Sequence, residues 1–297
     1  VKKISTLLAI VIMAAVFSAG CGNDNKDTIV ISGKKWTEQY ILPEILSQYI
    51  QAKTDYKVKV KEGLGEVSIL TPALDKGDID MYVEYTGTGL EAVLKDKAKP
   101  GESSEDVLKK VREGYKKKYK VDWLEPLGFE NTYTLAYKKD SGIDAKTFSD
   151  LVPDSSSMTF GAPHQFYERA DGYDAMAKAY GFKFKDQKSF DPNVMYDAVK
   201  NGDVDVIPAF TTDGRIQRYD LATTKDDLGF FPKYDAVPIV REDVLKKFPK
   251  LKDVVNQLAG KISEAEMSEM NAKVDIDHQD PKKVAKDFLI KKGLIKK

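Results

Sequence analysis

Leu74-Asp75-Lys76-Gly77-Asp78-Ile79-Asp80-Met81, running on to Tyr85-Thr86-Gly87-Thr88, is echoed by Val199-Lys200-Asn201-Gly202-Asp203-Val204-Asp205-Val206, running on to Phe210-Thr211-Thr212-Asp213. The offset is 125 residues throughout. Each copy reads as a helix end, a glycine suited to a left-handed C-cap, Asp-apolar-Asp, a short strand, and an aromatic followed by small polar residues. Gly-Asp-apolar-Asp alone is a common helix-to-strand turn, so the matching strand length and aromatic position carry the repeat. Two lobes of like build place Tyr85 and Phe210 at comparable strand ends. In open α/β sheets ligands bind beyond the carboxyl ends of the strands. The two rings are therefore expected to face one cleft from opposite sides.

Outward from the first copy, the pattern alternates strand and helix. Thr28–Ser32 is a β-rich run, and 36–52 carries apolar residues at helical spacing (Tyr40, Ile41, Ile45, Leu46, Tyr49, Ile50). Tyr56–Lys61 alternates as a half-buried strand, 67–76 reads as a helix and Ile79–Tyr85 as a strand. Such β-α-β-α-β order predicts a largely parallel sheet with helices packed on it. Residues 99–120 read as a charged, solvated helix. The second unit repeats the plan: strand 158–161, helix 170–180, extended 182–190, helix 193–201, strand 204–210. From 241 onward the chain is expected to be mostly helical, in stretches 244–248, 254–262, 264–271 and 281–292, with Ser263 as an N-cap.

Composition narrows the function classes. The chain has 297 residues, with 47 Lys+Arg balanced by 47 Asp+Glu, so it lacks the basic excess of a nucleic-acid binder. One Cys and two His, His164 and His278, leave no internal disulfide and too few ligands for a Cys/His zinc site. No cofactor or metal is expected.

The first residues read as an address. Lys2-Lys3 precede an uncharged, mostly apolar run over 4–20, and then come Cys21 and a polar stretch. The Ser-Ala-Gly-Cys ending resembles a bacterial lipoprotein signal, although Ser18 stands where such signals usually carry Leu or Val. That resemblance implies a signal peptide over 1–20, acylation of Cys21, a tether over 21–27, and a body held at the outer face of the cytoplasmic membrane.

Further motifs occur in order: Lys34-Lys35-Trp36-Thr37-Glu38-Gln39, Glu84-Tyr85-Thr86-Gly87-Thr88, Asn131-Thr132-Tyr133, Arg169-Ala170-Asp171-Gly172, Thr212-Asp213-Gly214-Arg215-Ile216 and Phe230-Phe231-Pro232-Lys233-Tyr234. Together they resemble the substrate-binding proteins of ABC transporters for glycine betaine, carnitine and choline, over about 28–295. The resemblance implies a two-lobed α/β clamp, the type II periplasmic-binding-protein fold. Lobe 1 would span 28–134 and 237–297, and lobe 2 would span 135–236. Crossing strands are expected near 133–137 and 235–240. An ABC permease with its ATPase is the implied partner, and the receptor itself is expected to be a monomer.

A trimethylammonium group has no N–H to donate, and burying a carboxylate against it costs desolvation. Aromatic faces attract it at roughly 0.5–2 kcal/mol each and cover its methyl groups. By resemblance the cage rings map to Tyr85, Tyr133, Phe210 and Tyr234, with Phe210 standing where the betaine and choline binders usually carry Tyr. Thr88 occupies a position that in the family holds Thr in broad betaine binders and Asp in choline-restricted ones, because a hydroxyl can donate to a substrate carboxylate that an Asp repels. Gln39 resembles a polar contact to the same carboxylate. Arg169 and Asp171 read as a structural pair outside the site. Glycine betaine or carnitine is the favoured solute. Choline or an aromatic betaine such as ergothioneine is the alternative. An exported enzyme using Glu38, Glu84 or Asp213, and an adhesive lipoprotein, are the competing classes, but no catalytic constellation fixes either. On this reading Tyr85→Ala is expected to weaken ligand binding with little loss of stability.

Overall fold

The computed structural model describes residues 27–99, 101–168 and 172–297. The expected signal peptide, Cys21, all but the last residue of the tether, and the Arg169–Asp171 pair lie outside the described residues. The strands are β1 (Thr28–Ser32), β2 (Lys57–Lys61), β3 (Met81–Tyr85), β4 (Val121–Trp123), β5 (Tyr133–Lys138), β6 (Thr159–Pro163), β7 (Asp186–Phe190), β8 (Val206–Phe210), β9 (Leu221–Thr223) and β10 (Ala236–Arg241). They form two five-stranded sheets with equivalent orders, β2-β1-β3-β10-β4 and β7-β6-β8-β5-β9. In each, three strands run parallel and the fourth is antiparallel to the third. Ala236 pairs with Tyr85 in one sheet, and Tyr133 pairs with Phe210 in the other.

Burial follows the sheet plan. The interior strand β3 is buried along its whole length, as expected where helices cover both faces. The edge strand β7 (DQKSF) is polar and largely exposed, and the edge strand β2 (KVKVK) is half-buried with alternating lysines, both of which discourage pairing with another chain. One face of the first sheet packs on helices Glu38–Lys53, Leu251–Asn256 and Pro281–Lys291 through Ile31, Ile45, Leu251 and Leu289. Its other face packs on Val67–Lys76 and Ser104–Tyr119 through Leu70, Leu74, Val107 and Val111. The second sheet has an aromatic core around Phe148, Phe160, Phe166 and Phe184.

The echoed motif does the same work in both sheets. Gly77 and Gly202 end their helices at φ 82° and 80°. Asp80 Oδ2 accepts the Val30 amide at 2.8 Å, and Asp205 Oδ2 accepts the Thr159 amide at 2.7 Å, so each motif's second Asp ties the start of its strand to the neighbouring parallel strand, β1 or β6.

The chain passes between the sheets just ahead of the expected crossings. Glu130 and Asp235 form an isolated antiparallel bridge, and Asn131 N–H donates to Tyr234 O at 3.1 Å. The segments 133–137 and 235–240, expected as crossings, fall almost wholly in β5 and β10, interior strands of the two sheets. In the last part, helix Leu251–Asn256 stops short of the expected 262, because Gly260 turns at φ 64° and donates to Pro126 O at 3.1 Å. Helix Glu264–Asp275 opens with a capping box between Ser263 and Glu266 and runs a turn past the expected end. It packs on the second sheet's helix Gly214–Arg218, where a Cβ on Gly214 would stand 2.4 Å from Ala272 N.

Candidate ligand-binding site

The carboxyl ends of β3 and β8 converge on a hollow of about 480 Å³ between the sheets, within the range of small-ligand sites. Trp36, Tyr85 and Tyr234 line it from the first sheet's side, and Tyr133 and Phe210 from the second's. A larger hollow of about 780 Å³ lies between the segments 95–99 and 101–103 on one side and 226–233 on the other. Lysines and carboxylates dominate its wall, and the repeat's strand ends do not meet there.

Each ring is placed by its neighbours. Trp36 and Tyr85 stack with centroids 6.2 Å apart and planes 23° apart. Lys34 Nζ lies 5.2 Å and 5.0 Å from those two centroids, and pairs with the fully buried Glu84. Tyr133 lies 4.6 Å from Phe210 and 4.9 Å from Phe231. Phe210 is 45% exposed, which leaves its ring open to the hollow. Tyr234 packs over Gly87, where a Cβ would meet its ring at 2.7 Å. Thr86 holds this corner closed: its Oγ1 donates to Lys233 O at 3.0 Å and accepts from Asp235 N–H at 3.0 Å.

A polar wall lies beside the rings. Glu38, 2% exposed, accepts hydrogen bonds from the Tyr85 hydroxyl, from Asn131 Nδ2 at 3.2 Å and from Asn271 Nδ2 at 3.2 Å. Burial pushes its carboxyl above the ordinary range, against the lowering effect of those donors and of Thr212. Asn271 also donates to Thr212 O at 2.8 Å, so this wall joins the C-terminal helix of the first half to the second half. Asp213 lines the hollow but is held by Arg215, Nη2 to Oδ2 at 2.7 Å and Nε to Oδ1 at 3.0 Å.

Of the residues expected from sequence, Tyr85, Thr88, Tyr133, Phe210 and Tyr234 all line the hollow. Gln39 does not. It is fully buried behind Tyr85, donating to the Tyr85 hydroxyl and to Val83 O at 3.1 Å each. Its expected direct contact with solute is therefore replaced by a supporting one. His164 is exposed beside Glu168, away from the hollow. Sequence reasoning missed Asn271, Thr212 and the polar role of Glu38. Asn131 and Glu38 stood inside motifs already quoted, whereas Asn271 sits in a C-terminal helix with no motif to mark it.

A family model, the substrate-binding domain of ABC-type glycine betaine transport systems, matches residues 27–291. The carnitine transport binding protein OpuCC of Listeria monocytogenes is 35% identical, over 98% of this chain and 97% of its own. The ergothioneine transport permease/ergothioneine binding protein EgtU of Helicobacter pylori is 37% identical over 90% of this chain, which spans 48% of that protein's length. A solved structure described as a glycine betaine/carnitine/choline ABC transporter superposes with a TM-score of 0.85 at 32% identity, over 90% of this chain and 99% of the other. The chain belongs to the family of substrate-binding domains of ABC-type glycine betaine transport systems. It has that family's two-lobed type II binding-protein fold and is an extracytoplasmic receptor for an ABC permease, not an enzyme.

Proposed function

We propose that this receptor captures a zwitterionic quaternary amine, glycine betaine or carnitine, with the methylated nitrogen held among Trp36, Tyr85, Tyr133, Phe210 and Tyr234. One observation carries the reading: rings from the strand ends of both sheets line a single hollow. A permanently charged nitrogen without N–H groups gains from ring faces what it cannot gain from hydrogen bonds. Four such contacts at the upper end of roughly 0.5–2 kcal/mol each approach the ~8 kcal/mol of micromolar binding, and contacts to the solute carboxylate offset the cost of closure. The Thr88 hydroxyl, on the wall of the hollow, is a donor for the carboxylate.

The lobe assignment, 28–134 with 237–297 against 135–236, is part of the proposal, as is a monomeric body anchored through an acylated Cys21. A permease as partner is supported by the Helicobacter relative, whose name joins permease and binding protein. The same relative, together with the open face of Phe210 on which a planar ring can stack, favours an aromatic betaine as the second reading.

Parallel calorimetric titration with glycine betaine, carnitine, choline and ergothioneine tests both readings. Micromolar binding of the first two, with quenching of Trp36 fluorescence and no turnover, is the expected result. Tighter binding of ergothioneine replaces the first reading with the second. Silence with all four removes the aromatic-cage reading.

A further inference from the structure

Two of the rings on the hollow's wall, Trp36 and Tyr85, are held in different ways. Tyr85 is tethered at both ends. Glu84 Oε1 accepts its backbone N–H at 2.8 Å, and Glu38 and Gln39 hold its hydroxyl. Trp36 has no such tether. Its indole N–H is buried and meets no acceptor among the described residues. Its ring stacks on Tyr85 and lies against the ammonium of Lys34, whose Nζ is 5.2 Å from the Trp36 centroid and 5.0 Å from that of Tyr85.

That ammonium is unusual for its place. Lys34 is 1% exposed, the only lysine so buried among the described residues. Lysines are almost never fully buried unless paired. Its partner is Glu84, 0% exposed, whose other oxygen accepts the Tyr82 hydroxyl at 3.1 Å. Lys34 also donates its backbone N–H to Gln39 Oε1 at 3.3 Å, which leaves the Gln39 amide nitrogen for the Tyr85 hydroxyl and Val83 O. Desolvating two charges is costly, and neutral side chains of like shape often fill such a place with no loss of stability. Stability therefore does not explain the pair. Neither Lys34 nor Glu84 lines the hollow, so the ammonium meets the two rings from the protein side and leaves their wall clear for solute. Glu84 balances its charge, so a solute cation beyond the rings feels a dipole and not a second cation.

We infer that Lys34 is a positioning residue of the cage: its ammonium, held in place by Glu84, pins the Trp36 ring against Tyr85 in the orientation that receives a methylated nitrogen. Attraction between the cation and the ring does for Trp36 what hydrogen bonds do for Tyr85. The inference rests on the aromatic-cage reading of the hollow and adds to it a residue that no solute touches.

The test compares the parent chain with Lys34→Met/Glu84→Gln, in which both charges go together and the new amide still accepts from Tyr85 N–H. Tetramethylammonium, glycine betaine and ergothioneine are titrated calorimetrically into each. Affinity is expected to fall about tenfold, by a like factor for every probe that binds the parent, because the methylated nitrogen is what the three share. Acrylamide quenching of tryptophan fluorescence should rise in the solute-free variant. Trp123, the other tryptophan, is 3% exposed in a separate core, so the added quenching reports Trp36. A pair with a purely structural role would lower the melting temperature and leave both readouts at parental values, which overturns the inference. Tighter binding also overturns it, since Lys34 would then compete with the solute. So does a loss confined to the two carboxylate-bearing probes, since Lys34 would then act on the carboxylate. If the variant does not fold, the parent supplies the measurement. A buried ammonium exchanges slowly enough to be seen in a lysine ¹⁵N spectrum at neutral pH, and the Lys34 signal should move on saturation with tetramethylammonium, which polarises the same rings from their other side. A signal that stays in place overturns the inference. Failure of the parent to bind any of the three probes removes the cage reading and this inference with it, a result distinct from parental binding retained in the variant.

Discussion

The Tyr85 hydroxyl donates to the Glu38 carboxylate and accepts from the Gln39 amide, so its polar capacity is spent inside the protein and only its ring remains for solute. Two substitutions separate these roles. Tyr85→Phe keeps the ring and removes the hydroxyl; affinity for the betaine should stay within about threefold, while stability falls by about 1–3 kcal/mol for the donor lost to a buried carboxylate. Tyr85→Ala removes both and should weaken binding at least about tenfold. With 3% exposure, Tyr85 is also core, so the truncation should cost about 3–5 kcal/mol, against the small loss expected from sequence. Calorimetric titration and chemical denaturation of the two variants provide both numbers.

Phe210 supplies the cleaner probe of the cage. Its ring touches Tyr133 but is 45% exposed, so little core depends on it. Phe210→Ala should reduce affinity about tenfold, the worth of one desolvated ring, and shift the melting temperature little. A stable variant with parental affinity would show that the solute sits elsewhere in the cleft.

The repeat explains why so much of this site was legible. Gly77, Asp80 and Tyr85 recur as Gly202, Asp205 and Phe210, and strand ends of like sheets carry like positions, so two rings on opposite sides of one hollow followed from the offset. Tyr133 and Tyr234 came from resemblance, not pattern: they precede or open antiparallel strands inserted from distant parts of the chain, which no local periodicity joins. The polar wall was harder. Asn271 reaches Glu38 and Thr212 only because the helix Glu264–Asp275 returns across the cleft, and a lone Asn on a helix has no spacing signature. Gln39 misled for a physical reason. Its side chain is of the right type for a carboxylate donor, but helix Glu38–Lys53 turns it inward beneath Tyr85.

Glu38 makes a pH prediction. Its carboxyl is raised above the ordinary 4.5 chiefly by burial, so the folded protein holds this proton more tightly than the unfolded chain. Between the ordinary and the raised value the folded state binds more protons, and stability therefore falls as pH rises through that window. Glu38→Gln removes the titrating group. The melting temperature of the parent relative to this variant should decline as pH is raised from 4.5 upward, then level off. A flat difference across that range would mean Glu38 titrates normally. Affinity should also drop in the variant, because with the amide oxygen accepting from Tyr85 and Asn131 the new amide nitrogen faces the Asn271 Nδ2 donor.

Thr88 tests the carboxylate end of the proposed solute. It lines the hollow three residues beyond Tyr85. Thr88→Asp places a second negative charge where a betaine carboxylate would lie, which disfavours the zwitterion and leaves choline untouched or helped. The ratio of choline to glycine betaine affinity should rise at least about tenfold, equivalent to ~1.4 kcal/mol. Parallel loss of both affinities would place the carboxylate away from Thr88.

Gly87 controls the cage from behind. No unusual backbone angle requires a glycine there; the requirement is space, since a Cβ would lie 2.7 Å from both the Tyr234 ring and Lys233 O. The carbonyl cannot retreat easily, because it accepts from Thr86 Oγ1 at 3.0 Å within the crossing segment. Relief must therefore come from the ring, which swings toward the hollow or out of it. Gly87→Ala should weaken betaine binding about three- to tenfold, with the stability cost of about 1–3 kcal/mol typical of overpacking. Pairing it with Tyr234→Ala decides the cause. If the glycine acts through the ring, the double variant binds no worse than Tyr234→Ala alone, because the displaced group is already gone. Additive losses would instead mean that the added methyl distorts the crossing segment itself, and with it the approach of the two halves.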